Sequence, residues 1–350
     1  MYLFGRVLKM RRSSAALAGL IYQGSGFLLV STAVFPMVVS AAAWLPFLLV
    51  CIHIITAQSK RKLLWSVAGS IALGLQIFAG HIEITYYTLL IMALYALWRL
   101  VISGWMTKSV KPLFQPAALL LGMVIVGLML GAVQLIPFYE VGSVNFREGA
   151  AAFDEVLGWA FPKRRVLTLA MPNFFGNPST HEYVDVLDGG GVVPLTTNYY
   201  GNPNPHGATT SNWGIKNYVE GGIYLGILPL LLAALGVLGV GEQGSRSRRW
   251  FGAFLTHPAS FFAGLSFFSV AFIFGTPLYG LLYYGLPFIN QLHTPFRWVW
   301  PLSLAVAVLA GFGADYLART RKWQSADEWQ ASQQQESVWA SDNTVAKWKR

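Results

Sequence analysis

The stretch LLWSVAGSIALGLQIFAGHIEITYYTLLIMALYALWRLV (63–101) contains two long apolar runs separated by a short polar hinge. Each run approaches the ~20 residues that an α-helix needs to cross about 30 Å of hydrocarbon. Between the runs stand His81 and Glu83, two side chains that are costly to place near lipid. The stretch therefore predicts two membrane-spanning helices, 63–80 and 84–101, with an ionisable pair at the turn that joins them.

Composition places the whole chain among helical membrane proteins. Of its 350 residues, 55% are hydrophobic and 11% are charged, whereas soluble domains carry roughly 25% charged residues. The formal net charge of +10 is typical of basic loops that anchor one side of a membrane protein, so nucleic acid is not an expected partner. The single cysteine, Cys51, cannot form an internal disulfide, and the motifs of ATPases, serine hydrolases and zinc proteases are missing from the sequence.

Eight apolar segments predict an all-α polytopic membrane protein with about eight transmembrane helices. The first segment is interrupted by QGSG (23–26) and is expected to be bent or re-entrant. The stretch 277–288 is too short to cross alone and is expected to lie at the membrane interface. The predicted spans are 14–33, 37–56, 63–80, 84–101, 117–137, 221–240, 259–280 and 298–318.

The basic residues predict which loops face the cytoplasm. With the N-terminus inside, most of the 25 Lys and Arg residues fall in inner segments, as the positive-inside rule requires. Both termini are then cytoplasmic, whereas the hinge 80–87 and the long segment 138–220 are extracytoplasmic. The predicted organisation is membrane helices 1–5 (1–137), an extracytoplasmic loop or cap domain (138–220), membrane helices 6–8 (221–318) and a polar cytoplasmic tail (319–350), either weakly helical or disordered.

The segment 138–220 combines Gly, Asn and Pro with many aromatic residues. Loops of this length are usually functional or disordered, and the aromatic content argues against disorder. Aromatic rings that alternate with Asn, Asp and Glu suit sugar recognition, because flat rings stack on C–H faces while amides and carboxylates accept hydrogen bonds from hydroxyls. A packed cap that binds no ligand is the alternative interpretation.

Seven motifs, in this order along the chain, resemble the YfhO family of bacterial membrane proteins. That family is regarded as GT-C-type glycosyltransferases, which use polyprenyl-phosphate-linked sugars at the outer membrane face. The resemblance implies a GT-C-like fold in the bacterial cytoplasmic membrane, with membrane lipid, a polyprenyl-phosphate sugar donor and a cell-envelope polymer acceptor as partners. The motifs are GHIEITYY (80–87), AVQLIPFYE (132–140), the arginine of NFREG, MPNFFGN (171–177), YVEGGIYLGILPLLLA (218–233), GTPLYGLLYYGLP (275–287) and HTPFRWVWPLSLAVAVLAGFGADYL (293–317).

The chain also departs from the family pattern. Family members carry an additional first span and an outer loop whose acidic residue is the expected base or metal ligand, and they continue with further spans. The resemblance therefore implies a fragment that lacks the N-terminal span and loop and the C-terminal part. In addition, Glu83 stands where the family's GHPQ-like pattern has a neutral amide.

The expected reaction assigns roles to residues at the predicted outer boundary. A base must deprotonate the acceptor hydroxyl, and cations must stabilise the departing phosphate. His81 and Glu83 are the catalytic candidates; helix capping is the alternative role for both. Arg297, between Phe296 and Trp298, suits a bidentate grip on the lipid phosphate, with an interface anchor as the alternative. The other candidates for binding the lipid phosphate are Arg147 and His293.

Sugar contacts and metal ligands are less clearly marked. Asp154 adjoins Glu155, and adjacent carboxylates on a helix point about 100° apart, so only one can face a site. A solvated surface explains that pair equally well. No metal site is predicted, although a divalent cation is left open as cofactor. The expected sugar-binding residues are Asp154, Asn198, Tyr199, Trp213 and Tyr218.

Two other functions compete with the transferase. A transporter or flippase for a lipid-linked substrate would place polar residues at mid-span and use broken helices, but the predicted spans are nearly free of charge. The other alternative is a catalytically inactive, truncated membrane protein. Asp315, near the inner end of the last span, is expected to be structural because Arg319 follows it by one helical turn.

Overall fold

The computed structural model of the chain describes residues 1–57, 61–144, 151–175, 182–185, 189–194, 222–242, 249–289 and 295–341. Within these residues the fold is helical apart from one antiparallel hairpin, β1 (Glu182–Asp185) and β2 (Gly191–Pro194). The helices are α1 (Tyr2–Val7), α2 (Arg12–Gln23), α3 (Gly26–Val34), α4 (Pro36–Ala42), α5 (Leu45–Thr56), α6 (Lys62–Phe78), α7 (Ile82–Thr107), α8 (Phe114–Leu130), α9 (Ala132–Ser143), α10 (Phe153–Gly158), α11 (Ile227–Glu242), α12 (Arg249–Thr256), α13 (Pro258–Ile273), α14 (Gly280–Gly285) and α15 (Val299–Ser341).

Each of the eight predicted spans contains helix, but fewer than eight are long enough to cross a membrane as single helices. Among the described residues, 4 helical segments meet that length and apolarity, or up to 6 if each of two bent pairs is one span. The remaining two apolar helices, Lys62–Phe78 and Ile227–Val240, are shorter. The four long segments are Pro36–Thr56, Ile82–Thr107, Lys111–Leu130 and Pro295–Thr320.

The bend expected at QGSG is present. Helices α2 and α3 meet at 51°, and the Gly26 N–H donates to the carbonyl oxygen of Tyr224 at 2.7 Å. A Cβ on Gly26 would lie 3.0 Å from the backbone of Tyr224, closer than real Cβ atoms normally approach. Glycine therefore allows this contact between the bend and the segment before α11 without a shift of the Tyr224 backbone.

Three predicted spans differ in extent from the helices. The span 259–280 ends early because Gly275, at φ +61°, forms a Schellman stop: its N–H donates to Phe272 and the Thr276 N–H donates to Ala271. The chain then turns by 107° into the short helix α14. The span 117–137 is divided between α8 and α9 at Gly131. The span 221–240 becomes helical only at Ile227, after Gly226 at φ +95°.

Helix α15 is the centre of the bundle. It packs against α2, α11 and α13, and most of its side chains from Val299 to Phe312 are buried. Its backbone meets that of α11 directly, because a Cβ added at Gly236 or Gly313 would overlap a carbonyl oxygen of the other helix. Such close approach through small residues is typical of helix pairs in membranes. The helix continues to Ser341, so most of the predicted tail is helical.

Candidate functional site

The hinge between α6 and α7 positions the first two site residues. Gly80, at φ +79°, turns the chain, and His81 caps α7 by accepting the Ile84 N–H at Nδ1 over 3.2 Å. Glu83 lies in the first turn of α7, where the helix dipole favours a negative charge. Helix capping by His81, one of the two predicted roles, is thus observed.

Arg297 reaches this hinge from the far end of the sequence. It lies in a one-turn 3₁₀ helix, Pro295–Trp298, directly before α15. Its Nη1 lies 2.6 Å from Oε2 of Glu83 and 3.0 Å from Nε2 of His81. The side chains of Arg297 and Glu83 are only 18% and 13% exposed. The structure therefore brings the two predicted catalytic residues, His81 and Glu83, together with the predicted phosphate ligand, Arg297, in one largely buried cluster.

His81 is the electrostatically constrained member of the cluster. A neutral imidazole has only one acceptor nitrogen, yet its two nitrogens face the Ile84 N–H and the Arg297 guanidinium. Burial and the charge of Arg297 lower the pKa of His81 to about 4, so the ring is neutral at pH 7. With the ring proton on Nε2, Nδ1 accepts the Ile84 N–H and caps α7; with the proton on Nδ1, Nε2 accepts from Arg297 instead, so the ring makes one of the two hydrogen bonds at a time. The cap therefore competes with the charge-assisted contact to Arg297, which is the stronger of the two.

A cavity of ≈ 210 Å³ opens beside His81 and Arg297. It lies against the break between α3 and α4, and its other walls are mostly apolar. The cavity is smaller than the roughly 300–1,000 Å³ of sites for drug-sized ligands, so it suits an anionic head with a short apolar portion rather than a whole sugar. The remaining lining residues are Phe27, Ser31, Phe35, Met37 and Val38.

The aromatic residues on either side of Arg297 in the sequence are packed inside the bundle. Trp298 is buried and packs edge-on against Tyr87 at 5.6 Å and Phe272 at 4.8 Å between ring centroids. Phe296 is also fully buried. Because both neighbours of Arg297 point into the bundle, they do not form the lipid-facing aromatic belt that the interface-anchor interpretation requires.

Arg165 belongs to the same region, although its sequence context indicated no special role. Arg165 is only 1% exposed. Its guanidinium carbon lies 4.6 Å from the centroid of the Phe161 ring. The Phe161 ring in turn packs against Phe296, with 5.7 Å between the ring centroids. Burial lowers the pKa of Arg165 to about 9. Phe161 precedes the 3₁₀ helix Lys163–Leu169 that carries Arg165, so α-helical spacing could not have indicated this cation–π pair from the sequence.

Of the other predicted site residues, only Asp154 lies in the ranges that the structure describes. Asp154 is described: it is exposed on α10, as is Glu155, and Asp154 makes no hydrogen bond or ion pair with any described residue. This exposure is compatible with both predicted roles of Asp154, a sugar contact and a solvated surface charge. The residues outside the described ranges are Arg147, His293, Asn198, Tyr199, Trp213 and Tyr218.

In the part of the chain that the structure describes, no group of three or more His, Cys, Asp or Glu residues could hold a metal ion. Comparison of the chain with protein-family models, curated proteins and solved structures finds no match. The resemblance to the YfhO family is therefore still a prediction from the sequence, and the chemistry has to be argued from the site.

Proposed function

We propose that the chain is a polyprenyl-phosphate-sugar-dependent glycosyltransferase that acts on a cell-envelope acceptor at the outer face of the bacterial cytoplasmic membrane. The observation that supports this most is Arg297, held between Glu83 and His81 at the polar end of a cavity with apolar walls. A guanidinium suits a phosphate, and the apolar walls suit the first part of a lipid chain. The motif resemblance adds the reaction type, the eight-span layout and the GT-C-like loop domain.

In the proposed reaction, Arg297 binds the donor phosphate, and its ion pair with Glu83 is weakened as a result. The Glu83 carboxylate then accepts the proton of the acceptor hydroxyl, and that oxygen bonds to the anomeric carbon of the sugar. The bond from this carbon to the phosphate oxygen breaks, and polyprenyl phosphate departs with the electron pair, stabilised by Arg297. His81 positions the guanidinium.

Further residues complete the proposed site. Arg147 and His293 would assist Arg297 at the phosphate. The sugar itself does not fit the cavity beside Arg297 and would be held by the segment 138–220. A divalent cation, if the reaction uses one, has no ligand set among the described residues. The proposed sugar contacts are Asp154, Asn198, Tyr199, Trp213 and Tyr218.

A flippase for the same lipid-linked substrate is the second candidate, because a broken helix borders the cavity. The bent pair α2 and α3 contributes Phe27 and Ser31 to its lining. A second bent pair, α13 and α14, packs near Trp298. Discontinuous helices are typical of transporter substrate sites. The position of the charged cluster at helix ends, rather than at mid-helix, favours the transferase.

One experiment separates these functions. Membranes that contain the full chain are supplied with a radiolabelled polyprenyl-phosphate sugar, and both transfer to acceptor and movement of label across the bilayer are measured. For a transferase, Glu83→Gln lowers the transfer rate by about 100-fold or more, the contribution of a general base, and Arg297→Lys lowers it through loss of the bidentate contact. The matched change Glu155→Gln, at an exposed carboxylate, leaves the rate unchanged.

Movement of label without transfer would instead support the flippase. If wild-type protein gives neither activity, the chain is a non-catalytic membrane protein and the proposal is wrong.

A further inference from the structure

A second charged cluster lies about five helical turns beyond Arg297, around Asp315 in α15. Asp315 is 4% exposed. Its Oδ1 accepts the Arg11 backbone N–H at 2.9 Å, and its Oδ2 accepts Nε–H of Arg319 at 2.8 Å. The predicted Arg319 pairing is confirmed, and the contact with Arg11 ties the start of α2 to α15. The carboxylate is therefore already satisfied by its own chain.

A cavity of ≈ 210 Å³ lies beside this cluster, between the α1–α2 turn, α11, the start of α13 and α15. The charged residues in its lining are Lys9, Asp315 and Arg319, and His257 lies beside them. Lys9 and Arg319 carry two positive charges against the one negative charge of Asp315, so the lining has a formal excess of one positive charge. Its remaining lining residues are Leu8, Met10, Gly236, Gly239, Val240, Phe312 and Tyr316.

Lys9 has a left-handed backbone conformation, which is uncommon for residues other than glycine. Its φ is +66°, in the left-handed region where Gly and Asn are cheaper by about 1 kcal/mol. The tight turn is closed by hydrogen bonds from the Lys9 N–H to Arg6 and from the Met10 N–H to Gly5, both at 3.0 Å. A basic residue directly after a helix C-terminus is favoured by the helix dipole, and at Lys9 the same turn places the residue in the lining of the cavity.

His257 adds a neutral donor. Its Nδ1 accepts the Ala259 N–H at 3.2 Å, so the neutral ring carries its proton on Nε2. Burial and the nearby Arg319 lower the pKa of His257. The ring is held edge-on against Phe312 at 4.8 Å. The cavity thus combines an ammonium, a guanidinium and an imidazole N–H, which are all hydrogen-bond donors.

The position of this cavity along α15 indicates the source of its ligand. Arg297 and Asp315 are separated by a rise of about 27 Å at 1.5 Å per residue. That distance matches the ~30 Å hydrocarbon core of a bilayer, and the helix between them carries no charged side chain. If Arg297 lies at the headgroup level of one leaflet, this cavity lies at the headgroup level of the other.

We propose that the cavity formed around Lys9, His257 and Arg319 binds the phosphate of an anionic phospholipid, in the leaflet opposite the Arg297 site. Lys9 and Arg319 contact the phosphate oxygens, and Nε2–H of His257 donates a hydrogen bond to one of them. The site fixes the α1–α2 turn against α15 in the membrane. This inference does not depend on the transferase activity.

The test is a binding titration of the full detergent-solubilised chain with dioctanoyl phosphatidylglycerol, dioctanoyl phosphatidylcholine and inorganic phosphate. Wild-type protein is expected to prefer phosphatidylglycerol over phosphatidylcholine. Lys9→Asn keeps a residue that tolerates the left-handed turn and removes the charge, so the Kd for phosphatidylglycerol should rise about fivefold or more, as for the loss of one charged contact. Thermal unfolding of the unliganded variant checks that the fold is unchanged.

Lys108 supplies the matched control, because it is also a left-handed lysine, at φ +50°, and caps α7 outside this cavity. Lys108→Asn removes the same charge and should leave the Kd unchanged. Equal weakening by both variants would show generic surface attraction and overturn the proposal. Binding of inorganic phosphate as tightly as phosphatidylglycerol would identify a free oxyanion as ligand and would overturn the lipid assignment.

Discussion

The contact between Glu83 and Arg297 can be tested by a double-mutant cycle on the unfolding free energy. Removing one partner of a buried ion pair typically costs about 3–5 kcal/mol, because the other charge is left buried. Here the side chains are 13% and 18% exposed, so water screens part of that cost, and about 2–3 kcal/mol is expected for Glu83→Gln. Arg297→Gln should cost a similar amount, since it leaves the Glu83 carboxylate with one strong donor fewer.

The double variant, Glu83→Gln with Arg297→Gln, measures how strongly the two side chains interact. Without either charge, the polar side chains can hydrogen-bond each other, so the combined loss should be smaller than the sum of the single losses. A coupling energy of about 2 kcal/mol is expected for groups in direct contact. The measurement is reversible unfolding in detergent, followed by circular dichroism, for the wild type, both single variants and the double variant.

Glu155→Gln is the control for the cycle, because it makes the same chemical change at an exposed carboxylate and should alter stability by less than about 0.5 kcal/mol. If the effects of Glu83→Gln and Arg297→Gln are additive, the two side chains do not interact. The site would then not be assembled as described, and the role of Arg297 in both proposed functions would lose its basis.

Two other predictions concern the hinge and the centre of the bundle. The pKa of His81 in the fold, about 4, lies below its ordinary value of 6.5, so the unfolded chain binds more protons; stability is therefore full above pH 6.5 and falls as the pH drops towards 4. Tm measured from pH 8 to 4 should show this loss. His81→Asn, which keeps a capping side chain, should make the decrease in Tm smaller. An unchanged pH profile in this variant would assign the loss to other groups. Gly236→Val should destabilise the chain by about 2 kcal/mol or more because the new side chain overlaps Leu309. At Gly122, inside α8, an added Cβ meets nothing within 4 Å, and valine has a higher helix propensity than glycine, so Gly122→Val should not destabilise the chain. Equal losses for the two variants in a thermal unfolding comparison would contradict the close packing at Gly236.

Local features of the fold could be predicted because they depend on residues near one another in the chain. The bend at QGSG follows from small polar residues between apolar runs, and the pairing of Asp315 with Arg319 follows from one helical turn of spacing. Helix ends were harder to place. Gly275 stops α13, whereas Gly311 and Gly313 continue inside α15. Glycine is frequent within membrane helices, so its presence alone does not mark an end.

The sequence by itself determined that this is a helical protein suited to a membrane, and that His81, Glu83 and Arg297 stand at helix starts, because apolar run length and helical spacing depend only on neighbouring residues. Only the tertiary structure decided that Glu83 and Arg297 form one ion pair, that Arg165 is buried, and that Lys9 shares a cavity with Arg319. Those contacts join residues far apart in the chain. Which helix faces meet depends on how closely the backbones can approach, as at Gly236 and Gly313, and local periodicity carries no information about that choice.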